Sequence, residues 1–361
     1  MPIPLILAGA GHAHLVALHD WLHSGYRPPE GTLLLSPSPH AWYSGMMPGL
    51  IAGRFVADEC AIALEPLCQA CGINLQIGSI RALEADSKRL HLDNDEQLQA
   101  EWLSLNVGSI PPAPLMQHSL VEVIPAKPFP AFHRAWSSWM HGPAPAHLAV
   151  LGGGAAACEL ALALHQSLPG STVSLICSRL LAEHPARLGR RMRGLFEARA
   201  IGLIEGHKVS HLAGDQLFAD EQALLATDAV ILATGASAHD WQAASGLDCD
   251  ESGFIRVSPT LQSLSHPGIL ASGDCASVPG ALRSGVFAVR QGPILAANLP
   301  ALLEDRALTA YQPQKKSLAL LATADGGALM SYGPQVAGGR LAGIWKDYLD
   351  LGFMRRHRVE S

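Results

Sequence analysis

Two glycine-rich turns, each set between an apolar strand and a helix, constrain the fold more than any other feature of the sequence. The first, GAGHAH at residues 9–14, follows the apolar segment Ile3–Ala8. The second, GGGAAA at residues 152–157, follows the apolar segment His147–Leu151. In such a turn the first glycine permits the tight bend, the second lets the backbone approach a pyrophosphate, and the helix N-terminus attracts the negative charge. The repeated pattern predicts two dinucleotide-binding βαβ folds in one chain.

Composition and charge exclude several classes of function. The net charge of −6 comes from 25 basic and 31 acidic side chains without a basic cluster, so we expect no nucleic-acid partner. The longest uncharged run, residues 31–53, contains three prolines and could not satisfy its backbone in lipid. The N-terminus has no basic region of the kind that begins a signal peptide. We therefore expect a cytoplasmic protein without integral membrane association.

Cysteine and histidine usage does not indicate a metal centre or a disulfide framework. Of the seven cysteines, Cys68 and Cys71 form a CxxC pair late in a helical pattern, with no second pair in the chain. We interpret them as packing residues rather than a redox pair or half a zinc site. The 17 histidines form no HExxH motif, so we predict no metal site.

A strand near residues 268–274 ends in Ala-Ser-Gly-Asp and indicates a flavin. Asp274 would stand where its carboxylate can accept hydrogen bonds from ribityl hydroxyls. The helix beginning near Ser284 would direct its positive end toward the flavin ring. Together with two dinucleotide folds, this predicts a flavin and a nicotinamide nucleotide on facing surfaces.

On these motifs the chain resembles the flavoproteins with two dinucleotide-binding domains, the pyridine nucleotide-disulfide oxidoreductase superfamily. The segments YSGMMPG (43–49), KPF (127–129), AVRQGP (288–293) and WKDYLD (345–350) resemble a narrower branch. That branch is similar to type II NADH dehydrogenases and includes FAD modules fused to selenide, water dikinase. Unlike the disulfide reductases, residues 43–49 contain no cysteine, so dithiol chemistry is not expected. Only Gln291 matches the glutamines of quinone-linked relatives, which weakens quinone as the acceptor.

The resemblance implies an α/β fold with two Rossmann-like domains and a small C-terminal α+β segment. Residues 1–112 and 237–310 would form an FAD-binding domain, interrupted by an NAD(P)H-binding domain at residues 113–236. Residues 311–361 would form the C-terminal segment.

The candidate site residues follow from the motifs and from the resemblance. For FAD they are Gly9, Ala10, Gly11, His12, Ala13, Ser36, Ser44, Gly45, Ile80, Asn106, Val107, Gly108, Gly273, Asp274, Gln291 and Gly292. For NAD(P)H they are Gly152, Gly153, Gly154, Ala155, Ala156, Glu159, Ser178, Arg179, Thr234 and Gly235. Lys127 and Gln291 are the candidate catalytic residues.

The roles of Arg179 and Lys127 remain open at this point. Ser36 stands where a carboxylate usually binds the FAD ribose, and Ser178 stands at the equivalent position of the second fold. Arg179 would select NADPH through a 2′-phosphate, or it is a solvated surface charge. Lys127 would stabilise an anionic reduced flavin, or it forms a surface salt bridge. His14, in place of the third glycine, is expected to fill space against the sheet.

The C-terminal residues 343–358 combine an apolar stripe with a basic end. On a helix Trp345, Tyr348, Leu349 and Phe353 fall near one face, which suits either a membrane surface or a protein surface. The segment is short and Asp347 and Asp350 interrupt its polar face. We therefore expect the stripe to pack against the flavin domain or against a second subunit in a homodimer.

We therefore predict an FAD-dependent NAD(P)H oxidoreductase that passes electrons to an unidentified acceptor. The alternative is a flavin-containing binding or assembly module of selenium metabolism with little turnover. The intact second glycine turn favours the enzyme.

Overall fold

The computed structural model describes residues 1–119 and 121–359 of the chain. The strands are β1 (Ile3–Ala8), β2 (Leu33–Ser36), β3 (His40–Trp42), β4 (Ala61–Ala63), β5 (Asn74–Ile77), β6 (Ile80–Glu84), β7 (Arg89–Leu92), β8 (Gln97–Leu105), β9 (Leu115–Gln117), β10 (Glu122–Pro125), β11 (His147–Leu151), β12 (Thr172–Cys177), β13 (Gly202–Glu205), β14 (His211–Ala213), β15 (Gln216–Ala219), β16 (Gln222–Ala226), β17 (Ala229–Leu232), β18 (Ile255–Arg256), β19 (Ile269–Ala271), β20 (Ala276–Ser277), β21 (Leu318–Ala322), β22 (Ala328–Tyr332) and β23 (Gln335–Gly339). The helices are α1 (His12–Ser24), α2 (Met47–Ile51), α3 (Leu64–Cys71), α4 (Phe129–His141), α5 (Ala155–Ser167), α6 (Ala186–Ala198), α7 (Asp240–Ala244), α8 (Gly285–Leu303) and α9 (Arg340–His357).

The first sheet is built around β1, the strand that enters the first glycine turn. Its order is β5-β2-β1-β8-β7-β6, and β19 also pairs with β8. The strands β5, β2, β1, β8 and β19 run parallel, whereas β6, β7 and β8 form an antiparallel meander. The sequences of β1 and β2 are almost entirely apolar because both faces of a parallel sheet are covered. Strands from before and after the second glycine turn thus build one sheet.

The second sheet contains the strand that enters the second glycine turn. Its order is β10-β17-β11-β12-β13, and all neighbouring strands run parallel. A small sheet of β16, β15, β14 and β9 accompanies it. The carboxyl ends of β11, β12 and β17 meet at one edge, which is where parallel sheets bind ligands. The mixed α/β fold predicted from the two turns is confirmed.

The long helix α8 lies against α1 at very short range. A Cβ atom added to Gly292 would come within 2.4 Å of the Val16 Cβ atom and 3.0 Å of the Ala13 carbonyl oxygen. By length and composition α8 could cross a membrane, but half of its apolar window is buried within the protein. Buried core helices pass the same test, so α8 is weak evidence for a membrane span.

The C-terminal segment contains three antiparallel strands, β21 to β23, and an 18-residue helix, α9. The strand β23 has the sequence QVAGG and is largely exposed, so it lacks the apolar alternation that indicates a strand. Trp345, Tyr348 and Leu349 form an exposed stripe on α9, so they do not pack against the flavin domain, whereas Phe353 is buried.

Earlier in the chain, α4 begins at Phe129, after Pro128, so Lys127 lies just before this helix.

The cysteines are free thiols, and all except Cys249 are buried. Cys68 and Cys71 lie in α3, where burial raises the pKa of Cys68 to about 12 and that of Cys71 to about 11. Thiols with such high pKa values are unreactive at neutral pH, and the pair packs within the core.

The close approach of α1 and α8 predicts that Gly292→Ala destabilises the fold. The added methyl group has no room beside Val16, so we expect the free energy of unfolding to fall by about 1–3 kcal/mol. Gly194→Ala in α6 is the control, because a Cβ atom there would have no neighbour within 4 Å. That change should be neutral or stabilising by up to ~1 kcal/mol. Urea unfolding followed by circular dichroism measures both. Equal effects of the two substitutions would contradict the packing described here.

Candidate functional site

The first glycine turn has no room for side chains. Gly9 has φ +94°, and a Cβ atom there would lie 2.4 Å from the Asn106 carbonyl oxygen. A Cβ atom on Gly11 would lie 2.2 Å from the Asn106 side-chain oxygen. The turn between β1 and α1 is therefore pressed against the end of β8, and only glycine fits at both positions.

The side chain of Asn106 ties three elements together at this point. Its Oδ1 atom accepts hydrogen bonds from the backbone N–H groups of Ala13, at 3.1 Å, and His14, at 3.3 Å. Its Nδ2 atom donates to the Ser272 carbonyl oxygen at 2.8 Å, just beyond β19. Asn106 was predicted as an FAD-binding position, and the structure shows that it fixes the geometry of the turn.

His14 does more than fill space. Its buried ring donates from Nδ1 to the Gly9 carbonyl oxygen at 2.6 Å, and its Nε2 atom lies 2.8 Å from the Ser104 hydroxyl oxygen. Burial lowers the pKa of His14 to about 4, so the ring is neutral near pH 7. The imidazole thus connects the first glycine turn to β8 through hydrogen bonds. A glycine at this position would allow α1 to pack closely on the sheet but could not form these bonds.

The N-terminus of α1 has the chemistry that an anionic ligand needs. In the described part of the chain, the backbone N–H groups of Ala10, Gly11 and His12 have no hydrogen-bond acceptor. The α8 N-terminus is close by, since a Cβ atom on Gly285 would lie 3.8 Å from the His12 ring. Two positive helix ends and unpaired N–H groups fit the pyrophosphate of a dinucleotide. The FAD predicted from the sequence therefore fits this site.

Asp274 and Lys127 were predicted for opposite parts of the flavin site, and the structure pairs them. The Lys127 Nζ atom lies 3.0 Å from Asp274 Oδ2, and the Ser109 hydroxyl donates to the same oxygen at 3.4 Å. Asp274 is mostly buried in the 3₁₀ turn after β19, whereas Lys127 is half exposed. Of the two roles left open for Lys127, the structure shows the salt bridge, and its partner is the candidate ribityl-binding residue Asp274.

Gln291 is buried in α8, and its side-chain oxygen accepts a hydrogen bond from the Gly273 N–H at 2.6 Å. Gly273 has φ +66°, and a Cβ atom there would lie 2.5 Å from Asn106 Nδ2. Gln291 therefore holds the turn that carries Asp274. This contact gives Gln291 a positioning role in the structure.

The second glycine turn is also pressed against neighbouring backbone, but at its first two glycines rather than at its first and third residues. A Cβ atom on Gly152, which has φ +134°, would lie 2.2 Å from the Ala233 carbonyl oxygen, and one on Gly153 would lie 2.3 Å from that of Arg179. A Cβ atom on Gly154 would face open space. The N–H groups of Gly153, Gly154 and Ala155 have no acceptor among the described residues. This second cradle leaves room for a phosphate at Gly154.

The remaining predicted positions line the edges of the two turns. Ser36 is buried and donates to the Ser38 carbonyl oxygen at 2.8 Å, and Val107 accepts from His239 Nε2 at 3.4 Å. Thr234 donates to the Pro112 carbonyl oxygen at 2.8 Å. Five further predicted positions lie at these edges and make no side-chain hydrogen bond: Ala10, Gly108, Ala156, Ser178 and Gly235. Ile80 opens β6 in the meander, opposite Leu92.

Arg179 is exposed and donates to the Ala182 carbonyl oxygen at 2.8 Å. Within residues 1–119 and 121–359 no carboxylate lies within 4.0 Å of its guanidinium group. The nearby Glu205 carboxylate instead binds Arg193, at 2.9 and 2.8 Å. The positive charge of Arg179 is therefore available to a ligand.

Ionic side chains that the sequence did not reveal connect the two glycine-turn folds to the C-terminal segment, and of these Lys346 and Asp350 are buried whereas Tyr43 and Glu159 are half-buried. The Lys346 Nζ atom donates to Asp350 Oδ2 and to the Gly45 carbonyl oxygen, both at 2.8 Å. The Tyr43 hydroxyl donates to Asp350 Oδ1 at 3.2 Å. On the other side, Glu159 in α5 accepts a hydrogen bond from the Ala322 N–H at 2.7 Å. We call Tyr43, Glu159, Lys346 and Asp350 the buried cluster.

Glu159 carries the titratable proton of this cluster near neutral pH. Burial raises its pKa to about 7, although the positive charge of Lys346 acts in the opposite direction. Burial also disfavours the charged form of Lys346, but the Glu159 and Asp350 carboxylates outweigh it and raise the Lys346 pKa. Lys346 therefore stays protonated while Glu159 changes its protonation state near pH 7.

One pair in the buried cluster could have been recognised from the sequence. Lys346 and Asp350 stand four residues apart on α9, which is the spacing of an ion pair on a helix. Their contacts with Gly45 and Tyr43 span about 300 residues, and no local pattern indicates them. The described residues contain no group of three or more His, Cys, Asp and Glu side chains that could hold a metal ion.

Comparisons with known proteins agree with this geometry. A family model described as pyridine nucleotide-disulphide oxidoreductase matches residues 9–292. The chain is 24% identical to ferroptosis suppressor protein 1 of Xenopus tropicalis over 260 residues, which cover 67% of each protein. It is 20% identical over 320 residues to the NADH dehydrogenase-like protein YutJ of Bacillus subtilis (strain 168), covering 86% of this chain and 87% of that protein.

Among solved structures, the chain is similar to the water-forming NADH oxidase of Lactobacillus brevis bound to NADH. The TM-score is 0.76 at 20% identity, covering 91% of this chain and 75% of the oxidase. At this level of identity the likeness establishes a shared fold.

The buried, neutral His14 predicts acid sensitivity of the first turn. In the unfolded chain His14 takes up a proton near pH 6.5, whereas in the folded protein it does so only near pH 4. Its contribution to stability is therefore complete above pH 6.5 and is lost as the pH falls toward 4. We expect the loss to reach roughly 3 kcal/mol. His14→Gln should reduce the pH dependence of the unfolding free energy, measured by urea unfolding between pH 7 and 4. His40→Gln, at an exposed position, is the control, and an unchanged slope in His14→Gln would be the contradicting result.

Proposed function

Because the chain belongs to the pyridine nucleotide-disulphide oxidoreductase family, we propose that it is an FAD-dependent NAD(P)H oxidoreductase. It would pass electrons to an acceptor that is not yet identified, and it would do so without a redox-active dithiol. The observation that carries the proposal is the pair of glycine turns, each with backbone N–H groups that have no acceptor in the described chain.

The first turn would hold FAD and the second the nicotinamide nucleotide. The N–H groups of Gly11 and His12 would bind the FAD pyrophosphate, and Asp274 would accept hydrogen bonds from the ribityl chain. The N–H groups of Gly154 and Ala155 would bind the pyrophosphate of NAD(P)H. When bound, FAD supplies a ring that accepts hydride from the nicotinamide and releases electrons to the acceptor.

The side chains at the flavin site would fix its electrostatics. The Lys127 ammonium group neutralises Asp274 at 3.0 Å and places a positive charge beside the ribityl position. Gln291 keeps Asp274 in place through its bond to the Gly273 N–H. Lys127 and Gln291 would act mainly by orienting Asp274, because their polar atoms already have partners within the protein.

Glu159 would hold the proton that accompanies electron transfer. It lies on α5, directly after the second turn, and its pKa of about 7 allows it to gain and lose a proton at physiological pH. The positive charge of Lys346 acts on Glu159 through space, and Lys346 donates to the Gly45 carbonyl oxygen, in the segment predicted to contact the flavin. The protonation state of Glu159 would therefore be coupled electrostatically to that segment.

Two features bear on the electron donor and the acceptor. Arg179 stands exposed after β12 without a carboxylate partner in the described chain, which supports a 2′-phosphate and hence NADPH. Residues 43–49 contain no cysteine, and the cysteines that are present have high pKa values or lie away from this segment. This supports direct transfer of electrons from the flavin to the acceptor.

The cytoplasmic location and a homodimer remain predictions.

Anaerobic titration of the purified yellow protein with NADH and with NADPH tests the proposal. We expect one nucleotide to bleach the flavin absorbance at stoichiometric amounts, with NADPH the more effective. Bound flavin that neither nucleotide bleaches would overturn the oxidoreductase and favour a flavin-stabilised binding module. A colourless protein that does not take up added FAD would contradict the cofactor assignment.

A matched pair of substitutions separates the two turns. Gly11→Val should give largely colourless protein, because its side chain would collide with Asn106 and block the pyrophosphate. Gly154→Val has open space around it, so the protein should fold and stay yellow while NAD(P)H no longer reduces it. Flavin content by absorbance and bleaching by NADPH measure the two effects. Loss of flavin from Gly154→Val, with retention in Gly11→Val, would reverse the assignment.

The pKa of Glu159 predicts a pH dependence of turnover. With NADPH and a dichlorophenolindophenol dye as acceptor, the rate should change with an inflection near pH 7, which Glu159→Gln should remove. Lys346→Met should move the inflection to higher pH, because the positive charge of Lys346 lowers the Glu159 pKa. Glu197→Gln on the exposed face of α6 is the control. An inflection that persists in Glu159→Gln would show that another group titrates.

A further inference from the structure

A carboxylate stands beside the loop that carries Arg179. Glu205 is the last residue of β13, and in the parallel pairing of β12 with β13 it lies opposite Cys177, the last residue of β12. Its Oε1 atom accepts a hydrogen bond from the Leu180 N–H at 2.9 Å. Glu205 therefore reaches the segment after the second strand of this βαβ fold, which is where the ribose of a bound nucleotide would lie.

A free carboxylate at this place favours NADH over NADPH. It accepts hydrogen bonds from the ribose 2′-hydroxyl of NADH and repels the 2′-phosphate of NADPH. The sequence has Ser178 at the position of the usual acid, and the structure supplies a carboxylate from the neighbouring strand instead. Glu205 and Arg179 thus have opposite preferences for the group at the 2′ position.

Arg193 in α6 binds both oxygen atoms of Glu205. Its Nε atom donates to Oε2 at 2.9 Å and its Nη2 atom donates to Oε1 at 2.8 Å, in the bidentate geometry that suits a carboxylate. These bonds and the Leu180 N–H hold the pKa of Glu205 below its usual range, so its negative charge is present and is balanced by Arg193. Glu205 is therefore no longer an unbalanced charge, and its oxygen atoms are already used by protein donors.

The surface of α6 leaves room for Arg193 beside the loop. Gly189 lies about one helical turn before Arg193 and is buried. A Cβ atom on Gly189 would lie 3.4 Å from Arg193 Nη1 and 3.6 Å from the Leu180 carbonyl oxygen. Because residue 189 has no side chain, the guanidinium group lies close to both the helix and the loop.

The loop itself has a strained backbone that its contacts maintain. Leu181 is buried and has φ +49°, a conformation that is rare for a bulky side chain. Its N–H donates to the Gly153 carbonyl oxygen at 2.6 Å, which fixes the loop to the second glycine turn. This bond and the bond between Leu180 and Glu205 together fix the backbone from which Arg179 extends.

These contacts give Arg193 a part in selecting the nucleotide, and this inference rests on the proposed binding of NADPH at the second turn. We propose that Arg193 sets the preference for NADPH by neutralising Glu205, which in turn positions the Arg179 loop through the Leu180 N–H. Arg179 then meets the 2′-phosphate without an opposing charge beside it. Arg193 is a positioning residue, since it acts through Glu205. Specificity here comes from neutralising a repulsive group as well as from an attractive one.

Dissociation constants for NADP⁺ and NAD⁺, measured by calorimetry on the flavin-loaded protein, test this role. Arg193→Met removes the charge and keeps most of the length of the side chain. We expect NADP⁺ binding to weaken at least roughly tenfold, while NAD⁺ binding stays within about twofold or becomes tighter. An unchanged ratio of the two constants would overturn the proposal. Tighter binding of NAD⁺ than of NADP⁺ by the unaltered protein would overturn it as well.

A second substitution separates the charge from the fold of the loop. Glu205→Gln removes the negative charge and keeps an oxygen atom that can accept from the Leu180 N–H. Added to Arg193→Met, it should bring NADP⁺ binding back to within about threefold of the unaltered protein. Failure of this double variant to recover NADP⁺ binding would contradict the role of charge. Glu205→Gln alone should raise the preference for NADP⁺, and a shift toward NAD⁺ would contradict the proposal even if Arg193→Met did not fold.

Arg81→Met is the matched control. Arg81 on β6 pairs with Asp95 at 2.9 Å beside the antiparallel meander of the first sheet, so its loss should leave both dissociation constants unchanged. Flavin absorbance shows whether each variant is folded and loaded, and bleaching by NADPH is measured separately.

The two readouts distinguish this inference from the proposed function. A changed ratio in Arg193→Met, without bleaching of any protein, would support the role of Arg193 and overturn the oxidoreductase. Bleaching of the unaltered protein with an unchanged ratio in Arg193→Met would do the reverse. A flavin-loaded protein that binds neither nucleotide would overturn both.

Discussion

The hydrogen bonds of one buried amide hold the candidate site together. Asn106 accepts from the first turn of α1 and donates to the carbonyl group of Ser272, so it joins the ends of β1, β8 and β19. Gly9, Gly11 and Gly273 lie so close to Asn106 that none can carry a side chain. Asn106 therefore helps to fix both the first turn, together with His14, and the turn that carries Asp274, together with Gln291. A dinucleotide needs both positions fixed at once, since its pyrophosphate and its ribityl chain are covalently connected.

A second set of contacts joins the two glycine-turn folds to the C-terminal segment. Gln291 and Asn106 connect parts of the first glycine-turn fold, whereas Glu159 extends from the second fold toward the C-terminal sheet through the N–H group of Ala322. Lys346 and Asp350 close the arrangement from α9. Charged groups are costly to bury, and these are retained because each has a partner of opposite charge or a hydrogen bond. The C-terminal segment thus contacts both glycine-turn folds.

The sequence predicted those parts whose signal is local. The strands β1 and β11, the starts of α1, α5 and α8, and the motif around Asp274 all come from short patterns of glycine, apolar residues and chain direction. The pairing of Lys127 with Asp274 and the buried cluster depend on contacts across 147 to 307 residues, which no local pattern encodes. His14 was misjudged because a histidine at a glycine position suggests looser packing, whereas its ring makes hydrogen bonds at both nitrogens. The exposure of the α9 stripe could not be predicted because periodicity identifies an apolar face but not what covers it.

The contact between Lys346 and Gly45 has a consequence for how the protein is made. The two residues are 301 positions apart, and a ribosome needs roughly 15–60 s to synthesise that length. During this interval β1, α1 and the segment around Gly45 have left the ribosome without Lys346, Asp350 or Phe353. The nascent first domain also lacks β19, so the Asn106 amide has no Ser272 to bind. The sheet that carries the first glycine turn therefore begins synthesis first, yet it is completed only after β19 has been made, and its contacts with α9 form last.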